Sequence, residues 1–177
     1  LINSNVLITG GAGSIGSELA LQICNTGSKK VIIYDNNETE LFRTSKYILN
    51  KNAKFILGDI NDNEYLKKII QKYKIQHVFH AAAYKHLGIL EDNLESAIKN
   101  NLFGTINVLN ALNDKVKSFV FISTDKAADP KSYLGLSKRL AEVVTQNWKK
   151  NKTSIVRFGN VFGSRGSVLE VFFDQIN

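Results

Sequence analysis

The chain has 177 residues, of which 44% are hydrophobic and 22% are charged, and this balance excludes a disordered protein and predicts one soluble domain with a substantial core. No uncharged apolar run approaches the roughly 18 residues that cross a bilayer, so any membrane segment is expected outside these residues. One cysteine, Cys24, rules out an intramolecular disulfide and favours a reducing, cytoplasmic location. A sequence without methionine, even at its first position, is expected to be a piece of a longer chain.

The net charge of +7 raises the question of nucleic-acid binding. The lysines, however, occur in small groups along the whole sequence, such as Lys29-Lys30, Lys67-Lys68 and Lys149-Lys150, and no aromatic platform is interleaved with them. We therefore predict solvated lysines that attract an anionic small molecule, and no nucleic-acid groove.

Short apolar runs alternate with helical patterns, which is the signature of βαβ units around a parallel sheet. The sequence predicts strands over Val6–Thr9, Lys30–Tyr34, Lys54–Leu57, His77–His80, Ser118–Ser123 and Ser154–Phe158. It predicts helices over Ser14–Thr26, Glu38–Asn50, Asn63–Tyr73, Leu94–Leu112 and Tyr133–Lys149. Continuously apolar strands must be covered on both faces, so the predicted fold is a doubly wound parallel sheet of the Rossmann type, in one domain over residues 1–177.

A glycine-rich turn, TGGAGSIG, follows the first strand and opens the first helix. Gly10, Gly13 and Gly16 allow a sharp turn, a close approach to a pyrophosphate, and close packing of helix on strand. Ser14 and Ile15 begin the helix, whose free N–H groups and positive dipole end suit phosphate. This position between strand and helix predicts a dinucleotide-binding site.

Asp35 ends the second strand about 20 residues after the glycines, where a carboxylate accepts hydrogen bonds from the adenosine ribose. Its charge would repel a 2′-phosphate, which favours NAD over NADP. Two alternatives stay open: Asp35 is only the N-cap of the next helix, or Arg43 swings back and allows NADP.

Two further turns are expected at the same edge of the sheet. Asp59 and Ile60 follow the third strand, where they would flank an adenine. Ala81, Ala82 and Ala83 follow the fourth strand and are small enough for the cofactor to approach the backbone, although a tight strand-to-helix crossing would also need small residues.

These motifs, together with NNLFGT, STDKA, GLSKRLAE and RFGNVFGSRGSV, occur in the order found in extended short-chain dehydrogenases. The chain resembles the nucleotide-sugar 4,6-dehydratases, specifically the UDP-N-acetylglucosamine dehydratase group of bacterial polysaccharide synthesis. The resemblance implies that NAD(P) takes a hydride from C4 of the sugar, that water leaves across C5 and C6, and that the hydride returns to C6. The implied product is a UDP-4-keto-6-deoxy sugar.

The run Thr124-Asp125-Lys126 is expected at the carboxyl end of the fifth strand, where such sheets bind ligands. Elimination needs an acid for the departing oxygen and a base for the C5 proton. The resemblance implies that Asp125 is the acid, Lys126 the base, and Thr124 an aligner of the sugar. An exposed ion pair that merely ends the strand is the alternative.

Lys138 matches the lysine with which many relatives bond the nicotinamide ribose, but the usual tyrosine four residues earlier is Leu134. Tyr133 would project about 100° away from that position on a regular helix, unless the first turn is irregular. Some relatives carry methionine there, so we predict that residues 124–126 replace the tyrosine.

The resemblance also implies substrate and positioning residues. Lys85 and His86 would reach the sugar or its phosphates, although a solvated helix start would fit them nearly as well, and Asn160, Ser164 and Arg165 would contact the diphosphate. Asn101 resembles the asparagine that steadies the active-site helix beside the cofactor. His77 and His80 have no carboxylate or thiol at ligand spacing, so no metal site is expected.

Relatives continue into a smaller C-terminal lobe that grips the uridine, and this lobe is expected to be largely absent here. Helices 94–112 and 133–149 resemble those that pair between subunits, which predicts a homodimer. A nucleotide-sugar epimerase of the same fold and a non-catalytic NAD-binding module remain alternatives.

Overall fold

Six parallel strands form one sheet in the order β3-β2-β1-β4-β5-β6 in this computed structural model, which describes residues 1–163. The strands are β1 Asn5–Thr9, β2 Lys30–Asp35, β3 Ala53–Leu57, β4 His77–His80, β5 Ser118–Thr124 and β6 Lys152–Phe158. The helices are α1 Ser14–Cys24, α2 Glu38–Tyr47, α3 Asn63–Lys72, α4 Leu87–Glu91, α5 Leu94–Ala97, α6 Gly104–Ala111 and α7 Tyr133–Asn147. The predicted doubly wound fold is confirmed.

Apolar side chains of the central strands divide between two cores, one on each face of the sheet. In β1, Leu7 packs in one core while Val6 and Ile8 pack in the other, and all three are fully buried. Successive side chains of a strand point to opposite faces, so a strand covered on both sides must be apolar throughout. This explains why the sequence shows continuous runs and not an alternating pattern.

Short polar side chains begin three of the helices. Asn37 accepts a hydrogen bond from the Glu40 N–H, and Asp62 accepts one from the Tyr65 N–H. Ser132 accepts one from the Gly135 N–H at the start of α7. Each cap satisfies a backbone donor that the helix itself leaves free.

The predicted helix over residues 94–112 is helical but not regular. A π-helical segment, Ile98–Phe103, joins α5 to α6. Both Asn100 and Asn101 of this segment are buried, and Gly104 packs so closely on the Ile60 side chain that this side chain would have to move for a Cβ at 104. Wide turns of this kind often mark functional positions.

The remaining differences from the predicted elements are small. β5 is one residue longer than predicted, β6 begins two residues earlier, and the short α4 was not predicted. Within residues 1–163, none of the helices combines the length and the apolar character that crossing a membrane requires.

Candidate active site

A cleft opens at the carboxyl edge of the sheet, where β1 lies between β2 and β4 and the direction of winding reverses. Its first cavity is lined by Gly10, Ala12, Gly13, Tyr34, Asp35, Asn36, Asn37, Glu40, Gly58, Ile60, Ala81, Ala82, Ala83, Tyr84 and Asn100. The second cavity shares Gly10, Gly13, Ala81, Ala83 and Tyr84 and continues past Ser14, Ile15 and Gly16 to β5 and α7. Ligands of doubly wound sheets bind at this switch point.

The glycine-rich turn forms the floor of both cavities. Gly10 has a φ of +64°, and a Cβ there would lie 2.5 Å from the Ala82 nitrogen. A Cβ on Gly16 would overlap the Gly10 carbonyl oxygen. The N-cap of α1 is Gly13, which has no side chain to cap the helix, and the first turn of α1 lies at the cleft, where helix N–H groups suit an anion. The turn therefore fits a dinucleotide pyrophosphate.

Asp35 lies at the end of β2 and lines the first cavity. One carboxylate oxygen accepts a hydrogen bond from the Ala12 N–H at 3.0 Å, and the other accepts one from the Asn37 N–H at 3.0 Å. The N-cap of α2 is Asn37 and not Asp35, so the simple capping alternative for Asp35 is wrong. An acceptor held in place by two backbone N–H groups in this cavity suits the hydroxyls of a ribose.

The two residues predicted to flank the adenine, in the turn after β3, differ in their position relative to the cavity. Ile60 lines the first cavity and also packs in the core. The Asp59 carboxylate instead accepts hydrogen bonds from the backbone and side-chain nitrogens of Asn61, and Asp59 is not part of the cavity wall. The Tyr34 hydroxyl bonds the Asp59 carbonyl at 2.8 Å, so this tyrosine shapes the turn.

The alanine turn after β4 reaches the cleft and is tied to α7. Ala81, Ala82 and Ala83 all line the first cavity. The Asn101 side chain accepts from the Tyr84 N–H at 2.8 Å and donates to the Tyr84 carbonyl at 3.1 Å. Its amide also donates to the Ser137 hydroxyl at 3.1 Å, which joins the π-helical segment to α7. This placement fits the predicted role of Asn101 in steadying the active-site helix.

His80 is a positioning residue that the sequence did not reveal. Its ring is fully buried. Nδ1 is hydrogen-bonded to the Thr9 hydroxyl at 2.6 Å, and Nε2 is hydrogen-bonded to the Thr105 hydroxyl at 3.0 Å. The Thr105 hydroxyl donates its proton to the Asn101 carbonyl at 2.6 Å, so the proton between His80 and Thr105 must come from Nε2. Burial lowers the pKa of His80 to about 3 and keeps the ring neutral.

Thr124, Asp125 and Lys126 follow β5 at the rim of the second cavity, as predicted. Thr124 and Lys126 line this cavity, whereas the Asp125 carboxylate is 56% exposed and lies near Gly159. That carboxylate accepts hydrogen bonds from the Thr124 hydroxyl at 2.9 Å and from the Lys126 ammonium at 3.1 Å. These two hydrogen bonds, the first from Thr124, hold the pKa of Asp125 below its ordinary value, so the group is ionised.

Lys138 projects from α7 under the second cavity and is only 4% exposed. Its ammonium donates to the Ile122 carbonyl at 2.5 Å and lies 4.1 Å from the centre of the Phe121 ring. Burial lowers the pKa of Lys138 to about 7, against the attraction of Glu142. The lysine therefore changes its charge near neutral pH.

Leu134 stands where the superfamily tyrosine is usually found. It lines the second cavity and packs against Leu90 and Ala97 with 6% exposure. Tyr133 begins α7 regularly, its N–H bonds the Glu91 carboxylate at 2.9 Å, and it is not part of the cleft wall. The irregular first turn that would bring Tyr133 into the site is not present.

A buried carboxylate, Glu142, fixes α7 to the sheet one helical turn after Lys138. It accepts hydrogen bonds from the Ser123 hydroxyl at 2.6 Å, from Arg157 at 2.7 and 2.8 Å, and from Arg139 at 3.2 Å. Burial alone would raise the pKa of Glu142, but the bonds from Arg157, Ser123 and Arg139 lower it below its ordinary value. The sequence signal for Glu142 was its position four residues after Lys138, on the same face of α7.

The substrate side of the cleft contains three of the five predicted residues. Lys85, His86 and Asn160 line the second cavity, and Asn160 accepts a hydrogen bond from the Lys126 ammonium at 3.3 Å. Ser164 and Arg165 lie outside the described residues. His77 bonds the Ser118 hydroxyl, and residues 1–163 contain no cluster of three or more histidine, cysteine or acidic side chains suited to a metal.

Comparison with known proteins gives the family. The model of the family described as "Polysaccharide biosynthesis protein" matches residues 6–177. The chain is 40% identical over 187 residues to the capsular polysaccharide biosynthesis protein CapD of Staphylococcus aureus, with 99% of the chain and 31% of that protein covered. It is 36% identical over 176 residues to the inverting UDP-N-acetylglucosamine 4,6-dehydratase of Campylobacter jejuni, with 95% and 52% covered.

Two solved structures share the fold. The X-ray structure of Pen from Bacillus thuringiensis aligns with a TM-score of 0.91 and 34% identity, over 99% of this chain and 56% of that one. The Bordetella bronchiseptica enzyme WbmG, in complex with NAD, aligns with a TM-score of 0.82 and 25% identity, over 97% and 59%.

The chain thus spans about half the length, or less, of these relatives. The match nevertheless covers the glycine turn, the alanine turn, residues 124–126 and the lysine of α7 in one alignment. The resemblance inferred from the motifs is confirmed, and the chain belongs to the polysaccharide biosynthesis protein family.

Proposed function

We propose that this chain is the cofactor-binding and catalytic part of an NAD-dependent 4,6-dehydratase that acts on a UDP-N-acetylhexosamine, with UDP-N-acetylglucosamine as the first candidate. The glycine turn, the glycine N-cap at the start of α1 and the carboxylate of Asp35 together support NAD. The NAD complex of WbmG supports the same cofactor. When bound, NAD would take a hydride from C4 and return it to C6.

One observation carries the choice of reaction: the second cavity presents Thr124 and Lys126, with Asp125 beside them, and an apolar Leu134 in place of a phenol. A site that only shuttles a hydride needs one proton acceptor. Loss of water needs a second acid–base group of the protein beside the neighbouring sugar carbons. An ion pair at this position therefore favours elimination.

The ionised state of Asp125 gives the order of proton transfers. As a carboxylate it would accept the C4 hydroxyl proton during oxidation, and as the resulting acid it would give that proton to the departing C6 hydroxyl. Lys126 would take the C5 proton after its ammonium has released a proton to solvent, and would return the C5 proton when the hydride reaches C6. The cycle loses one water, and both residues end as they began.

The test is incubation of the full-length protein with UDP-N-acetylglucosamine, with the products followed by NMR. The proposal expects a 4-keto-6-deoxy sugar, a loss of turnover of about 10²-fold or more in Asp125→Asn, and nearly full turnover in the matched control Tyr133→Phe. Full activity of Asp125→Asn would remove the proposed acid, and dependence on Tyr133 would contradict its position outside the cleft.

An epimerase is the second candidate, because the chain is also 33% identical over 186 residues to the UDP-glucose 4-epimerase of Rickettsia rickettsii. An epimerase would return the hydride to C4 and leave C6 hydroxylated. The same NMR experiment separates the two reactions, since only the dehydratase product gains a C6 methyl group.

Self-association is also part of the proposal. Leu136, Leu140 and Val143 lie along one face of α7 and are 39, 39 and 42% exposed. Positions separated by four and three residues share a helix face, so these side chains form an apolar stripe that a second subunit would cover. Sedimentation of Leu140→Lys should then show a monomer where the unchanged protein is a dimer.

A further inference from the structure

The edge of the sheet opposite the cleft collects most of the lysines of the protein. It consists of residues 25–30, 48–54, 72–77, 112–118 and 148–152, which precede β2, β3, β4, β5 and β6 or begin them. We refer to these residues as the basic edge. They contain eleven of the lysines but only one acidic residue, Asp114, so the basic edge carries +10 whereas the whole chain carries +7.

The lysines of the basic edge are exposed and have no acidic partners. All eleven are solvent-exposed, and in the described part of the chain none forms an ion pair within 4.0 Å. Lys72 ends α3, where it offsets the negative end of a helix dipole. Lys30, Lys117 and Lys152 begin or precede strands, so the helix dipole does not account for them.

This arrangement corrects the sequence-based interpretation of the charge. The lysine groups were predicted to be scattered and to attract an anionic small molecule. The parallel topology instead brings Lys29-Lys30 and Lys149-Lys150, though not Lys67-Lys68, to a single edge, because the strands begin there, while the substrate cleft opens where the strands end. Charge so far from the cleft is not placed to bind its substrate.

The shape and composition of the basic edge favour a planar anionic partner. The lysines extend across all six strands, a width of about 24 Å at the usual strand spacing. No arginine lies among them, although arginine is the residue that reads bases. Tyr73 and Trp148 lie within this edge, with Lys30 and Lys150 over their respective rings. Lysines beside tyrosine and tryptophan are typical of a membrane–water interface.

We propose that the basic edge binds the surface of an anionic membrane. Bound in this way, the sheet would stand with the starts of its strands toward the lipid headgroups and the cleft toward the solvent, where a soluble nucleotide sugar has access. This inference uses only the position of the lysines, and it does not depend on the reaction proposed above.

The test is co-sedimentation of the 177-residue chain with phosphatidylcholine vesicles, with and without phosphatidylserine, at about 0.15 M salt. Each lysine near such a surface contributes about fivefold in partitioning, so the variant K115Q/K117Q should bind about 30-fold more weakly. The matched control K67Q/K68Q loses the same charge from the exposed face of α3 and should bind as the unchanged chain does.

Three outcomes would overturn the proposal. The first is equal binding to vesicles without phosphatidylserine. The second is equal weakening of both variants, which would indicate a response to net charge alone. The third is that the chain binds a single-stranded RNA more tightly than it binds the phosphatidylserine vesicles and that K115Q/K117Q loses this binding. This result would assign the edge to nucleic acid. Circular dichroism of each variant checks that these exposed substitutions leave the fold intact.

Discussion

Gly10→Ala is the substitution for which the structure gives the most definite expectation. Gly10 has a φ of +64°, a conformation that costs an alanine about 1–2 kcal/mol. The added Cβ would also lie 2.5–2.7 Å from backbone atoms of Ala81 and Ala82, and these cannot rotate away as a flexible side chain would. Such overpacking costs about 1–3 kcal/mol more. The expected loss of about 2–5 kcal/mol is a large part of the roughly 5–15 kcal/mol of a typical domain.

Gly27→Ala is the matched control. Gly27 has a φ of +78°, but a Cβ there would have no neighbour within 4 Å. The free energy of unfolding of Gly27→Ala should therefore fall only by the cost of the backbone conformation. This fall is partly offset by about 0.4–1 kcal/mol, because alanine makes the unfolded chain less flexible. Urea unfolding of both variants, analysed with one common slope of free energy against urea concentration, measures the difference between their free energies of unfolding. A loss in Gly10→Ala no larger than that in Gly27→Ala would refute the close contact between the glycine and alanine turns.

Three further predictions concern the site. Asp35→Asn should weaken NAD binding about 10–100-fold in calorimetry, because it removes the charge and sets an amide NH2, which cannot accept, against the N–H of Ala12 or of Asn37; unchanged affinity would show that the ribose binds elsewhere. Thr105→Val should lower the free energy of unfolding by about 1–3 kcal/mol, since the His80 N–H and the Asn101 carbonyl lose their partner, whereas Thr105→Ser should restore it. The free energy of unfolding should rise between about pH 7 and pH 10. Lys138 has a pKa of about 7 in the folded protein and an ordinary value of 10.5, so in this range the folded protein binds fewer protons than the unfolded chain. A Lys138→Met variant that keeps this rise would contradict the assignment to Lys138.

The sheet and the phosphate-binding turn could be predicted because their causes are local. The run Val6–Thr9 is apolar throughout, and the glycines after it leave few alternatives to a tight strand-to-helix turn. Asp35 follows from the same unit at a fixed distance along the chain. The order of the strands and the position of the cleft then come from the usual winding of such sheets.

Other features depend on contacts between residues distant in sequence. The partner of His80 is Thr105, 25 residues away, and no local pattern indicates that a π-helical turn brings them together. The exposed position of Asp125 depends likewise on the segment after β6. The lysines of the basic edge looked scattered because the sequence separates them by the length of each βα unit.

The bonds of Glu142 have a consequence for ligand cooperativity. Arg157, on β6, precedes the segment in which Asn160 meets Lys126, and Glu142 joins that arginine to the helix of Lys138. If a sugar nucleotide drew the end of β6 inward, it would therefore alter the surroundings of the lysine in the second cavity, which the proposed cofactor would share. By thermodynamic reciprocity, each ligand should then change the affinity of the protein for the other by the same factor.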